Sequence, residues 1–201
     1  MGANASTING VMLILAAGLA TRWGGKDKTA LYWPEGGTLL AHQEELAKSL
    51  GFSTLAVARA PSEEPLRIVN PEPEQGLASS LALGLRVARA RFGAVPVGVL
   101  LADQPFVTKE DILTVYHAFM RRPATVHAVR PRYGDVPGHP VFFDPAWDAR
   151  VLELSGDRGL GAIWDRVSDT LWVEIGIQDR PHPAFDIDTE EAYDMARQWA
   201  E

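Results

Sequence analysis

The sequence predicts an α/β fold: one domain of three layers, with a mostly parallel sheet between two helical faces. Three observations lead there. The run Val11 to Ala17 is apolar at every position and ends in glycine, as in a strand buried on both faces. Strand-like and helix-like patterns then alternate to the C-terminus. The 201 residues, 46% hydrophobic and 22% charged, suit one core of ordinary size.

Taken in order, residues 1–10 are small and polar without periodicity and are expected to form a disordered leader, with residues 11–201 forming the domain. Val11 to Ala17 is the first strand. Thr38 caps a helix with Leu39, Leu46 and Leu50 on one side, closed by Gly51. Phe52 to Ala58 and Leu66 to Asn70 read as strands. Gly76 to Phe92 reads as a helix with Leu77, Leu81, Leu85 and Ala88 on one face. Val95 to Leu101 is a strand, and Thr108 with Asp111 makes a capping signal for a helix ending near Arg121. Ala124 to Arg130 and His139 to Phe143 are expected strands, followed by a glycine-broken helical stretch from Ala146 to Val167. Thr170 to Ile175 is a strand and Glu190 to Ala200 the last helix. In such sheets a ligand sits at the carboxyl ends of the strands.

Composition excludes several classes. A net charge of -7 argues against general nucleic-acid binding, which needs a basic face. The absence of cysteine removes disulfides, thiolate metal sites and cysteine nucleophiles, so any metal is held by oxygen or imidazole. No apolar run reaches membrane-spanning length, and residues 1–10 lack the pattern of a signal peptide. A cytoplasmic location without membrane association is expected.

Three segments carry chemistry. Leu15-Ala16-Ala17-Gly18 leads into a loop with Arg22, Gly24, Gly25, Lys26 and Lys28, where backbone N–H groups and cations can surround a triphosphate. Ala20 and Asp27 rule out a Walker loop, and Ala20 rules out a dinucleotide fingerprint. Asp103-Gln104-Pro105 places a carboxylate at a strand end, fit either for a hard cation or for opening a turn. Asp186-Ile187-Asp188 puts two carboxylates on one side of an extended segment, though Asp188 with Glu191 also fits a capping box.

Together these segments resemble the molybdenum cofactor nucleotidyltransferase family, from Met12 to about Ala196. The resemblance also takes in Gly76-Leu77-Ala78-Ser79-Ser80, Gly138-His139-Pro140 and Ser155-Gly156-Asp157-Arg158-Gly159, in the family's order. It implies a Rossmann-like nucleotidyltransferase domain that joins a nucleoside monophosphate to the phosphate of molybdopterin. Ala17, Asp103-Gln104-Pro105 and the Gly76 segment look like the cytidylyl branch, whereas Gly24-Gly25-Lys26-Asp27-Lys28 looks like the guanylyl branch. CTP is the leading donor and GTP its rival. A relative acting on another phosphorylated small molecule, or a non-catalytic nucleotide-binding regulator, stays open.

By the same resemblance, Arg22, Lys28 and Asp103 are the catalytic residues. Leu15, Ala16, Ala17, Gly18, Arg22, Gly24, Gly25, Lys28, Gly76, Ser79, Ser80 and Asp103 bind the nucleotide. Asp103 and Asp188, with Asp186 in reserve, hold Mg²⁺. Gly138, His139, Asp157 and Arg158 face the acceptor. For the last three, a packing histidine and an internal Asp157–Arg158 ion pair are the alternatives, as a helix cap is for either serine. The implied partners are a nucleoside triphosphate, a molybdopterin-type cofactor, and a client molybdoenzyme or its chaperone.

Overall fold

The computed structural model describes residues 8–18, 27–34, 37–61, 66–164, 166–177 and 179–200. At its centre is β1 (Val11–Ala16), six buried residues in a row. It pairs in parallel with β4 (Ser53–Ala58) on one side and β6 (Val97–Leu101) on the other. A strand flanked in this way, and covered by helices on both faces, has no side free for polar residues.

Between β1 and β4 lie a short ribbon, β2 (Tyr32–Trp33) with β3 (Gly37–Thr38), and helix α1 (Leu39–Ser49). The Thr38 hydroxyl accepts from the Ala41 N–H, as the sequence predicts for a cap. Beyond β4 come β5 (Arg67–Val69) and α2 (Leu77–Phe92), then β6 and α3 (Lys109–Met120), the last opened by the expected Thr108–Asp111 capping box. The rest comprises β7 (Ala128–Tyr133), β8 (Val136–Pro137), β9 (Val141–Phe143), α4 (Asp148–Leu152), α5 (Gly161–Trp164), β10 (Thr170–Glu174) and α6 (Glu190–Ala200). The main sheet runs β10-β7-β9-β6-β1-β4-β5, with β8 paired to β7.

Alternation along β1 sorts the core into two layers. Leu13 and Leu15 face Leu81, Leu85 and Ala88 of α2, with Trp147 and Trp164 behind. Met12 and Ile14 face the other way, onto Leu40 and Ala47 of α1 and Ile112, Val115 and Phe119 of α3. A smaller cluster of Trp33, Leu39, Ile187 and Ala196 joins the β2–β3 ribbon to α6.

Three details differ from the sequence reading. β7 begins at Ala128, because Val126 is still in a turn closed onto the Pro123 carbonyl. It also runs through Pro131 to Tyr133, since its neighbour changes there from β9 to β8 and no donor is missed. β9 lies antiparallel to both β6 and β7. The stretch from Ala146 to Val167 agrees with the glycine-broken helix read from the sequence, as two short helices separated where Gly156, at φ +64°, turns the chain toward α2. At the N-terminus, residues 1–7 of the expected leader lie outside the described residues, while the Ile8 N–H donates to the Gly51 carbonyl and Gly10 is buried against Phe52. Residues 8–10 are therefore held to the domain. Among the described residues no helix is long and apolar enough to cross a membrane.

Candidate functional site

The carboxyl ends of β1 and β6 and the segment leading into α6 meet at one place. Asp103 follows β6 by two residues. Its carbonyl accepts from the Ile187 N–H at 3.0 Å, which fixes the Asp186-Ile187-Asp188 segment beside it. Ile187 is fully buried, so this apolar peg seats the two flanking carboxylates at the sheet's lip. The alternative reading of Asp188, a capping box with Glu191, does not form: the Thr189 hydroxyl accepts from the Ala192 N–H and caps α6 one residue later. Asp188 turns instead toward Lys28.

Lys28 completes the cluster. Its Nζ lies 2.6 Å from Asp103 Oδ2 and 2.7 Å from Asp188 Oδ1. Burial alone would draw its ammonium down, but Asp103 and then Asp188 outweigh that and hold it above the ordinary lysine value. Its backbone is pinned, because Asp27 caps the short turn Lys28–Ala30 by accepting from the Thr29 N–H and hydroxyl at 2.9 and 2.7 Å.

Asp186 has a different environment. It accepts from the Gln104 Nε2 at 2.8 Å and is pushed above the ordinary carboxylate value by burial and by the Asp103 charge. A carboxylate can only accept, so this bond orients the Gln104 amide and turns its Oε1 to His139 Nδ1, 2.9 Å away. His139 therefore donates from Nδ1 and keeps Nε2 as an acceptor. Burial, with the Arg130 charge, lowers its pKa to about 3. The Gln104 carbonyl in turn accepts from Gln43 Nε2 at 2.7 Å.

His139 borders a cavity of about 120 Å³ between α2 and the sheet, walled by Leu15, Leu77, Leu81, Leu101 and Leu160. Arg130 lines it too, its guanidinium lying over Trp172 and donating to the Gly138 carbonyl at 3.2 Å. Gly138 itself is buried against Tyr133, with no room for a Cβ.

The start of α2 is built differently. Asn70 Nδ2 donates to the hydroxyls of Ser79 and Ser80 at 2.8 and 2.9 Å, and Ser80 is buried. The Ala78 N–H donates to the Gly156 carbonyl at 3.0 Å. Gly76, at φ +84°, lets the 155–159 loop press so close that a Cβ would sit 2.5 Å from the Gly156 carbonyl carbon and 2.6 Å from Asp157 Oδ1. Asp157 and Arg158 are both exposed on that loop. The alternative of an ion pair between them is not formed, and Arg158 donates to the Ser155 hydroxyl at 3.2 Å.

Of the residues predicted for the site, the structure thus brings together Lys28, Asp103, Asp188 and Asp186, with His139 joined through Gln104. Leu15, Ala16 and Ala17 are buried and can meet a ligand only through the backbone, whereas Gly18 is exposed. Arg22, Gly24, Gly25 and Lys26 lie outside the described residues. Sequence reasoning missed Gln43 as a site residue, although a polar side chain on the apolar face of α1 was its signal. It missed Arg130 because an arginine inside a strand gives none.

Two carboxylates from separate elements converging on one cation suit a hard divalent ion, which takes oxygen ligands and is commonly held by one or two protein carboxylates plus substrate phosphates. Among the described residues no three acidic or imidazole groups stand together in metal-holding geometry.

The model of the MobA-like NTP transferase domain matches residues 12–170. No curated protein sequence matches significantly. Among solved structures, Rv0371c from Mycobacterium tuberculosis H37Rv aligns at 21% identity over 95% of this chain and 99% of its own, with a TM-score of 0.78. A manganese complex of that protein aligns at 19% identity over the same shares, with a TM-score of 0.67. Molybdopterin-guanine dinucleotide biosynthesis protein A from Archaeoglobus fulgidus gives 19% identity over 94% and 97%, TM-score 0.69. The 2-C-methyl-D-erythritol 4-phosphate cytidylyltransferase of Thermus thermophilus gives 18% over 94% and 97%, TM-score 0.61. At these identities the likenesses show the fold: a mostly parallel, mixed sheet between helical layers.

Proposed function

The chain belongs to the MobA-like NTP transferase domain family and is a nucleotidyltransferase, and from that premise we propose that it transfers CMP from CTP to the phosphate of a molybdopterin-type cofactor. The acceptor's phosphate oxygen bonds to the α-phosphorus as the bond to the β-phosphate oxygen breaks, and pyrophosphate leaves. The observation that carries this reading is the convergence of Lys28, Asp103 and Asp188 at the carboxyl ends of β1 and β6.

Such a transfer needs no nucleophile from the protein, because the acceptor phosphate is already ionised near neutral pH. The work is positioning and charge stabilisation. Asp103 and Asp188 would hold Mg²⁺, which when bound offsets the negative charge of the reacting phosphates. Asp186, kept by Gln104, stands in reserve beside them. Lys28 would contact the triphosphate and stabilise the departing pyrophosphate, together with Arg22 and the loop through Gly24 and Gly25. On the acceptor side His139 borders the cavity with Nε2 as its acceptor, and Asp157 and Arg158 are exposed at the loop that closes over Gly76.

A second reading, GTP as donor, is favoured by the Gly24-Gly25-Lys26-Asp27-Lys28 form of the loop. The test is pyrophosphate release by purified protein with Mg²⁺ and a molybdopterin-type cofactor, offered CTP, GTP, ATP and UTP in parallel. Turnover with CTP alone is expected. Turnover with GTP alone transfers the chain to the guanylyl branch, and nucleotide binding without turnover on this acceptor rejects the molybdopterin assignment.

A further inference from the structure

We propose that the Lys28 ammonium holds the place of a divalent cation between Asp103 and Asp188 and is displaced when one binds, so that metal binding releases the lysine toward the triphosphate. The inference rests on the metal reading of those two aspartates and adds an internal competitor to it.

The geometry is that of a small cation's shell. One ammonium donates to two carboxylates at 2.6 and 2.7 Å, and the carboxylates belong to elements 85 residues apart in sequence. Their proximity does not depend on the lysine, because the backbone bond from the Ile187 N–H to the Asp103 carbonyl sets it. Asp103 and Asp188 bring two negative charges to the ammonium, and Asp186 stands beside them as a third carboxylate. A lysine and a divalent ion together would place three positive charges in the same few ångströms, and like charges repel strongly where solvent is partly excluded. Mg²⁺ also demands near-octahedral oxygen ligands at roughly 2.0–2.1 Å, whereas the facing oxygens here already accept short charge-assisted hydrogen bonds.

The local build suits a swinging arm on a fixed pivot. Asp27 ties down the turn through Thr29, and the Lys28 carbonyl accepts from the Leu31 N–H at 3.2 Å, so the backbone stays while four side-chain torsions are free to redirect the ammonium. The turn follows directly on the loop that carries Gly24 and Gly25. Linkage makes the effect reciprocal: whatever draws the lysine away must strengthen metal binding by the same factor.

The test uses nucleotide-free full-length protein and Mn²⁺ as probe, with free Mn²⁺ counted by electron paramagnetic resonance. Lys28→Met should bind Mn²⁺ roughly tenfold more tightly than wild type or better, the change that about 1.4 kcal/mol would bring. Lys28→Arg, which keeps the charge, should stay near wild type. Asp103→Asn should weaken binding in both backgrounds. A second readout needs no variant. The chain has four lysines, of which Lys48 and Lys109 are exposed. Acylation of Lys28, read by peptide mass spectrometry, should be slow without metal and rise severalfold with Mg²⁺, while Lys48 and Lys109 keep their rates. Asp103-dependent Mn²⁺ binding that is equal or weaker in Lys28→Met, or acylation of Lys28 unmoved by Mg²⁺, overturns the displacement and leaves the metal reading standing. No Mn²⁺ binding in any form overturns both.

Discussion

Two edges of the candidate site are built on opposite terms. At the Lys28 edge, three side chains from three distant segments converge, and what joins them is charge. At the Gly76 edge the polar groups are already satisfied within the protein: Asn70 donates to both serine hydroxyls, and the Gly156 carbonyl takes the Ala78 N–H. The first edge can exchange its partners for those of a ligand at the cost of moving a side chain. The second presents a preformed shape, with the exposed side chains of Asp157 and Arg158 at its rim. The difference suggests a division of labour, with electrostatics of the transfer at one edge and a preformed wall at the other.

The largest expected effect is at the charged edge. Asp103→Ala should lower the rate of pyrophosphate release by about 10²–10³ or more, the scale lost when charge stabilisation is removed from a transferring group. It should leave the fold intact, since the side chain sits at the sheet's lip. Single-turnover kinetics with circular dichroism on the same sample checks both, and a near-wild-type rate would break the comparison. At the shaped edge the expectation is reversed, with stability affected first. Gly76→Ala forces a Cβ into the Gly156 backbone at a positive φ and should destabilise the protein by about 2–4 kcal/mol in urea unfolding. A loss below about 0.5 kcal/mol would show that the 155–159 loop is free to retreat, and the wall would be no wall.

The same contrast governs what was legible in the sequence. The sheet's parallel centre and helices α1, α2, α3 and α6 were readable because their signals are local: unbroken apolar runs, 3.6-residue periodicity and caps at Thr38 and Thr108. Asp103 stood out as a carboxylate just past the end of an apolar strand, whereas Asp188 was singled out through the family resemblance, its spacing to Glu191 fitting a helix cap as well. The antiparallel β9 was not, because strand direction depends on partners distant in sequence. Nor was the choice between cap and ligand at Asp188, since Asp188 and Thr189 are both good capping residues and only the packing of Ile187 decides which of them turns toward the helix. The roles of Asn70 and Gln104 belong to the same class: each is a single polar residue whose meaning comes from what the fold places opposite it.

His139 joins the two edges, and acid should sharpen its part. Folded, it stays neutral down to about pH 3, because burial and the Arg130 charge resist its protonation. Unfolded, it takes up a proton near the ordinary value of about 6.5. A basic group whose folded value is lowered contributes stability in full above the unfolded value and loses it as pH falls. From about pH 6 to pH 4 the unfolded chain therefore binds one proton more at this residue, and each pH unit costs about 1.4 kcal/mol. His139→Gln cannot titrate, yet its amide can still donate to Gln104 Oε1. Urea unfolding across that range should show the slope with pH shallower by about 1.4 kcal/mol per unit in the variant than in wild type. Parallel slopes would mean that His139 is protonated in the folded protein over this range, which would replace its Nε2 acceptor with a donor.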